Sequence, residues 1–257
     1  MDSELVHLYE EPHLHNSRMV IAFSGWMDGG GASTGTLEYL THLLDAHAFA
    51  EMDPASFYIY NFPGSKEIIS LSRPYTAIED GLVTEFEEPE CTFLCSEPHN
   101  LILFEGKEPN LAWETFADCL FSLADSFDVR HIYFIGSVTN VVPHTREPRI
   151  YSSVSAQNMY PFIARHGLIP SNYEGPASFV TYLMVEAHER NLPMATLVVE
   201  LPAYIQGTNA KGIEALVRKL QDILDIQTDF GDLTRLSHEF EQRLDEIVRQ
   251  RPELREM

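Results

Sequence analysis

The chain has 257 residues, 44% of them hydrophobic, which is enough for one α/β domain with a full core or such a domain with an appended element. Lys and Arg number 17 against 39 Asp and Glu, a formal charge of −22 that argues against nucleic acid and membrane surfaces as partners and leaves proteins with basic patches open. No apolar run approaches the roughly 20 residues of a membrane span, and Met1-Asp2-Ser3-Glu4 is too acidic for a secretory signal, so a cytoplasmic protein is expected.

The first predicted strand, Met19–Trp26, runs into the glycine cluster Met27-Asp28-Gly29-Gly30-Gly31-Ala32-Ser33-Thr34-Gly35. A helix-period run follows, with Leu37, Leu40, Leu43 and Leu44 on one face. Further strands are predicted at Phe57–Phe62, Leu82–Phe86, Thr92–Ser96, Leu101–Glu105, His131–Gly136 and Ala195–Leu201. Helices are predicted over 111–125, 176–188 and 211–224, each with a one-sided apolar stripe, and Pro176 is assigned to the first turn of the second. This alternation predicts a parallel or mixed sheet covered by helices. Beyond Asp225 a long charged helix carries the narrow stripe Leu233, Leu236, Phe240, Leu244 and Ile247, stopped near Pro252. The expected organisation is an α/β domain over 1–225 and, over 226–257, a charged helix packed on that domain or on a partner subunit.

Strand, glycine loop and helix is how α/β proteins cradle ligands, so the loop must be tested against the phosphate fingerprints. Gly25 and Gly30 have P-loop spacing, but Gly31 stands where the lysine belongs. A dinucleotide pattern starting at Gly29 puts Thr34 at its third glycine. Both fail, and Asp28 at the mouth of the helix would occupy the N–H groups an anion needs. A turn requiring positive φ or close backbone approach at Gly29 and Gly30 is the plainer reading. Gly31-Ala32-Ser33-Thr34-Gly35 matches a nucleophile elbow by letter, yet four residues separate it from the strand, which puts Ser33 in the first helical turn.

A second loop, 136–148, follows the strand at His131 and should open at the same sheet edge. There His144 and Arg146 suit a proton carrier and an anion clamp, or equally pairing with local carboxylates such as Glu147. Glu174, before a helix, could be a general base or a cap, and Tyr204 follows the last strand. Asp28, Gly29, Gly30, His144, Arg146, Glu174 and Tyr204 therefore form the candidate crevice, with the catalytic residues unknown. Cys91, Cys95 and His99 recur every fourth residue, but on a strand that holds the side chains roughly 13 Å apart, too far for one zinc. Neither metal nor cofactor is expected.

An ordered set of segments carries a family resemblance. It comprises Ala22-Phe23-Ser24-Gly25-Trp26-Met27-Asp28-Gly29 with Ala32, Thr34 and Gly35, and Leu103 to Gly106 with Glu108-Pro109. It continues with Trp113 and Phe116, Gly136 with Val142-Pro143-His144-Thr145-Arg146, Tyr173-Glu174-Gly175-Pro176, and Leu201-Pro202 with Tyr204. From Val20 to Val248 the chain resembles the proteasome assembly chaperone 2 family, which includes eukaryotic proteasome-assembly factors and bacterial and archaeal relatives. The resemblance implies a three-layer α/β/α sandwich related to the nucleoside phosphorylase-like fold, with a C-terminal helical extension like that of bacterial members. It also implies self-association as a dimer or trimer. It carries over no catalytic residues. Some relatives thought to engage the proteasome end in hydrophobic–tyrosine–any residue, a pattern that Leu254-Arg255-Glu256-Met257 does not match. The expected function is a non-enzymatic, assembly-chaperone-like protein that binds itself and other proteins. The alternative is a protein or enzyme that binds a nucleoside or phosphorylated metabolite in the crevice.

Overall fold

A computed structural model of the chain describes residues 5–61, 63, 73–205 and 207–250. Its strands are β1 Val6–Leu8, β2 Ser17–Ser24, β3 His47–Met52, β4 Tyr75–Glu79, β5 Leu82–Glu87, β6 Cys91–Ser96, β7 Leu101–Lys107, β8 Val129–Asn140, β9 Ile150–Ser152, β10 Ile169–Pro170 and β11 Met194–Pro202. Its helices are α1 Ala32–Leu43, α2 Trp113–Ser126, α3 Tyr160–Arg165, α4 Phe179–Glu189, α5 Ala210–Leu224 and α6 Gly231–Gln250.

Nine strands form one sheet in the order β1-β3-β6-β7-β2-β8-β11-β9-β10. The central four, β7, β2, β8 and β11, run parallel, with antiparallel strands outside them. Side-chain alternation explains why these strands read as unbroken apolar runs, because both faces are buried. In β2, Met19, Ile21 and Phe23 point into one core while Val20 and Ala22 point into the other. The first core is aromatic and lies under α2 and α4, where Phe23 meets Phe104, Phe116, Phe134 and Phe179 at centroid distances of 5.6–6.1 Å. The second is aliphatic and lies under α1 and α5, with Leu37, Leu40, Leu216, Val217 and Leu220 fully covered. The fold is thus the three-layer α/β/α sandwich expected.

On the outer side of α5 lies α6. It buries Leu233, Ser237 and Leu244, and Thr234 donates to Glu214 of α5 at 3.0 Å. The loops following the four parallel strands open at one carboxyl edge of the sheet, because parallel strands all end there.

Three predicted elements need correction. Over its described residues 57–61, the predicted strand Phe57–Phe62 is no strand, and Phe62 lies outside the described residues. Phe57 instead closes a turn on Pro54 and buries its ring 4.9 Å from that of Phe116, so its aromatic character serves the core. The strand expected at Leu82–Phe86 exists, but pairs with β4 in a separate two-stranded ribbon. Pro176 is not in the first turn of α4. That helix starts at Phe179, and Ser178 caps it by accepting from the Thr181 N–H at 3.3 Å.

Candidate functional site

At the carboxyl end of β2 the chain turns through Gly30 and Gly31, both left-handed with φ of 61° and 54°. Only glycine takes two such residues in succession without strain. The turn folds Asp28 back over α1, where its carboxylate accepts from the Ser33 N–H at 2.9 Å, the Thr34 N–H at 3.2 Å and the Thr34 hydroxyl at 2.8 Å. The donors a phosphate would use at this helix start are taken. The loop also turns carbonyls towards its neighbours, Gly29 O accepting from Ser137 Oγ and Gly30 O from the Asn209 N–H. Nearby, burial pushes the Glu105 carboxyl up, and the negative charges of Glu38, Glu90 and Asp28 push it further. A rim with this charge repels anions. Ser33, in the first helical turn, is buried and donates to Ile135 O, so it presents no nucleophile.

The loop after β8 and the loop after β11 meet over the aliphatic core. His144 is 7% exposed, and its Nδ1 lies 2.6 Å from Tyr204 Oη. The same Oη accepts from the His144 backbone N–H at 2.7 Å. Burial raises the Tyr204 phenol, and the hydrogen bond from the His144 backbone opposes that shift. The other face of the imidazole is closed by α6, with Nε2 3.1 Å from Asp245 Oδ1. Arg146 pairs with Glu200, a buried carboxylate at the end of β11 that also accepts from Asn140 Nδ2 at 2.7 Å. Lys211 ties the arrangement to α6 by donating to His144 O and to Glu241, each at 3.0 Å. The cavity lined by His144, Arg146, Glu200 and Leu244 is about 10 Å³, room for one water and far too small for a nucleoside. A separate open cleft of about 390 Å³ lies between Glu147, Pro148, α5 and α6.

The structure thus brings His144, Arg146 and Tyr204 together and sets Asp28, Gly29 and Gly30 beside them through Asn209. It does not bring Glu174 to this group. Glu174 is exposed on the loop entering α4, the helix packed on the aromatic core, while His144 is held by α6, which shares the aliphatic core with α5. The carboxylates that pair with His144 and Arg146 are Asp245 and Glu200, not the neighbouring Glu147.

Beside Asp28 the rim is apolar and open. Trp26 is 71% exposed and lines a shallow groove with Ile59, Lys107, Pro109, Trp113 and Pro176. The groove floor is fixed by Glu108, whose carboxylate accepts the Phe179 N–H at 2.9 Å, and by Trp113 Nε1 donating to Pro109 O at 2.9 Å. Sequence reading assigned Trp26 to a strand and gave it no part in the site. In the structure β2 ends at Ser24, and a large aromatic directly after Gly25, whose φ is 128°, was the available signal. Among the described residues no group of three or more His, Cys, Asp or Glu could hold a metal ion, and no helix is long and apolar enough to cross a membrane.

Fold and rim together define a three-layer α/β/α protein whose sheet edge is laced shut by its own side chains on one flank and presents an aromatic groove on the other. The model of the PAC2 family matches residues 22–248, and the chain belongs to that family. A proteasome-assembly chaperone homologue from Mycobacterium tuberculosis is similar at 26% identity and a TM-score of 0.80, covering 93% of this chain and 98% of that one. A PAC2 family protein from Streptomyces avermitilis is similar at 23% identity and a TM-score of 0.77, over 90% and 95% of the two chains. The archaeal proteasome activator PbaB from Pyrococcus furiosus shares the fold at 17% identity and a TM-score of 0.70, over 94% and 97%. No curated protein matches the chain.

Proposed function

We propose that this chain is a non-enzymatic, assembly-chaperone-like protein that self-associates and grips other proteins through the aromatic groove at the carboxyl edge of its sheet. The observation that carries the reading is the contrast across that edge. Asp28, His144, Arg146 and Lys211 are each engaged by groups of the same chain, while Trp26 stands exposed beside Trp113 and Pro176. Exposed tryptophan set in an apolar groove is the usual anchor of a protein interface, and saturated polar side chains are poor reagents for bond-making. The family supports an assembly role. Carried over from the Mycobacterium and Pyrococcus relatives, proteasome subunits become the class of client to test. A cytoplasmic setting belongs to the same reading, and the buried thiols of Cys91 and Cys95 support it.

Sedimentation velocity tests the self-association directly. The native chain is expected to run heavier than its 29.2 kDa monomer, and Trp26→Ser to shift towards monomer while keeping its melting temperature. A monomeric parent at every concentration would remove self-association from the account.

A further inference from the structure

A second surface, outside the rim, is the two-stranded ribbon β4–β5. Its turn is Asp80-Gly81 with φ of 49° and 82°, the left-handed pair that matches strand twist in a two-residue hairpin. Every residue of β5 is exposed. Tyr75, Ile78, Leu82, Val83 and Phe86 are 58–72% exposed, five of the fifteen large apolar side chains exposed among the described residues. An isolated hairpin is marginal in water, and such a concentration of apolar surface marks a contact.

Register shows that the ribbon is sided. Thr76 pairs with Phe86 and Ile78 with Val83, so these four share one face. The opposite face holds Tyr75 with Glu87, Ala77 with Glu85 and Glu79 with Leu82. Val83 and Phe86 are three apart and would point to opposite faces of a regular strand. The register shift between Ala77 and Ile78 puts an extra residue into β5 and brings both to the same side. The bulge thus assembles an apolar face that nothing in regular pairing would produce.

Charge selects the occupant. Residues 74–90 carry Glu79, Asp80, Glu85, Glu87, Glu88 and Glu90 and no Lys or Arg. Glu79, Glu85 and Glu87 lie on the reverse face, Asp80 in the turn and Glu88 and Glu90 just beyond β5. Two ribbons joined through their apolar faces would gather six acids from each copy and no base around one contact, which disfavours a second copy at this surface. An apolar surface ringed by lysine and arginine satisfies both features at once. We propose that the apolar face of the ribbon docks a protein partner whose contact surface is apolar at its centre and basic at its rim. This rests on the protein-binding reading above and adds to it a surface and a partner chemistry.

Fluorescence anisotropy of the full chain at about 0.15 M salt, with three short labelled strand peptides, tests it. One peptide alternates Val and Lys, one Val and Glu, one Ser and Lys. The chain is expected to bind the Val–Lys peptide at least about tenfold more tightly than either other, and Ile78→Ser/Val83→Ser/Phe86→Ser to lose that margin. These side chains are exposed, so the melting temperature of the variant should stay at the parent value, and single Phe86→Ser replaces it should it fall. Equal binding of Ser–Lys, equal binding of Val–Glu, or a ribbon variant that binds Val–Lys as the parent does would each overturn the proposal. A fall in sedimented mass of the ribbon variant would overturn it too, by showing a second copy on the face. Trp26→Ser separates the two readings, since it should lose self-association and keep Val–Lys binding.

Discussion

His144 and Asp245, 101 residues apart in sequence, lie 3.1 Å from each other, and this contact pins the C-terminal helix α6 over the loop that follows β8. With Tyr204 on its other ring nitrogen, His144 is a clasp between two rim loops and α6. His144→Ala should therefore release the helix before it harms the sheet. Losing the buried hydrogen bonds costs about 1–2 kcal/mol, which amounts to faster local opening. Amide exchange over 231–250 is expected to rise by about tenfold, with β2 and β8 unchanged. Equal acceleration everywhere would show a global defect instead.

Asp28→Ala removes the acceptor for three donors at the start of α1. The expected loss is about 1–2 kcal/mol in urea unfolding, with a smaller loss for Asp28→Asn, which keeps one acceptor. An Asp28→Ala protein as stable as the parent would show that the glycine turn holds itself.

Arg146→Ala leaves Glu200 buried without its cation and should cost about 2 kcal/mol, since the arginine is itself partly exposed. Adding Glu200→Gln should recover most of that loss, because the amide needs no counter-charge and can still meet Asn140. Equal stability of the single and double variants would mean that the pair is passive.

Glu105 gives the pH dependence. Its carboxyl is raised by burial first and then by neighbouring acids, so it contributes stability that is complete below its unfolded value and lost as pH rises through its folded value. Glu105→Gln should melt a few degrees higher than the parent at pH 7 and converge with it as pH falls through the carboxylate range. A constant gap across that range would assign the effect to shape instead of charge.

Burial pushes the thiols of Cys91 and Cys95 up to about 11. Both should resist a thiol reagent at pH 8 in the native chain and react fully in denaturant. Fast native labelling at either would contradict their place in the core.

The central sheet was legible because β2, β7, β8 and β11 are buried on both faces, and such strands must be continuous apolar runs. Phe57 broke the same inference, since an aromatic cluster records burial but not backbone shape. The edge strand β1 is too short to show a period, and in β3 a bulge between Ala48 and Ala50 breaks the alternation, burying Phe49 and Ala50 in succession. The ribbon had a clear signal in Asp80-Gly81, which went unused. At the rim, Asp28 was readable as a cap because its partners lie five and six residues away. Glu200 and Asp245 were not, since only the crossing of β8, β11 and α6 brings them to Arg146 and His144. Glu174 was assigned to the crevice from its position before a helix, a placement that says nothing about which layer the loop covers.

A thermal-melt panel of nucleosides, nucleotides and inorganic phosphate bears most directly on the claim that rim polar groups serve the chain's own architecture. No additive should move the melting temperature of the native chain. A saturable, concentration-dependent rise with any of them, abolished by His144→Ala or Arg146→Ala, would contradict it.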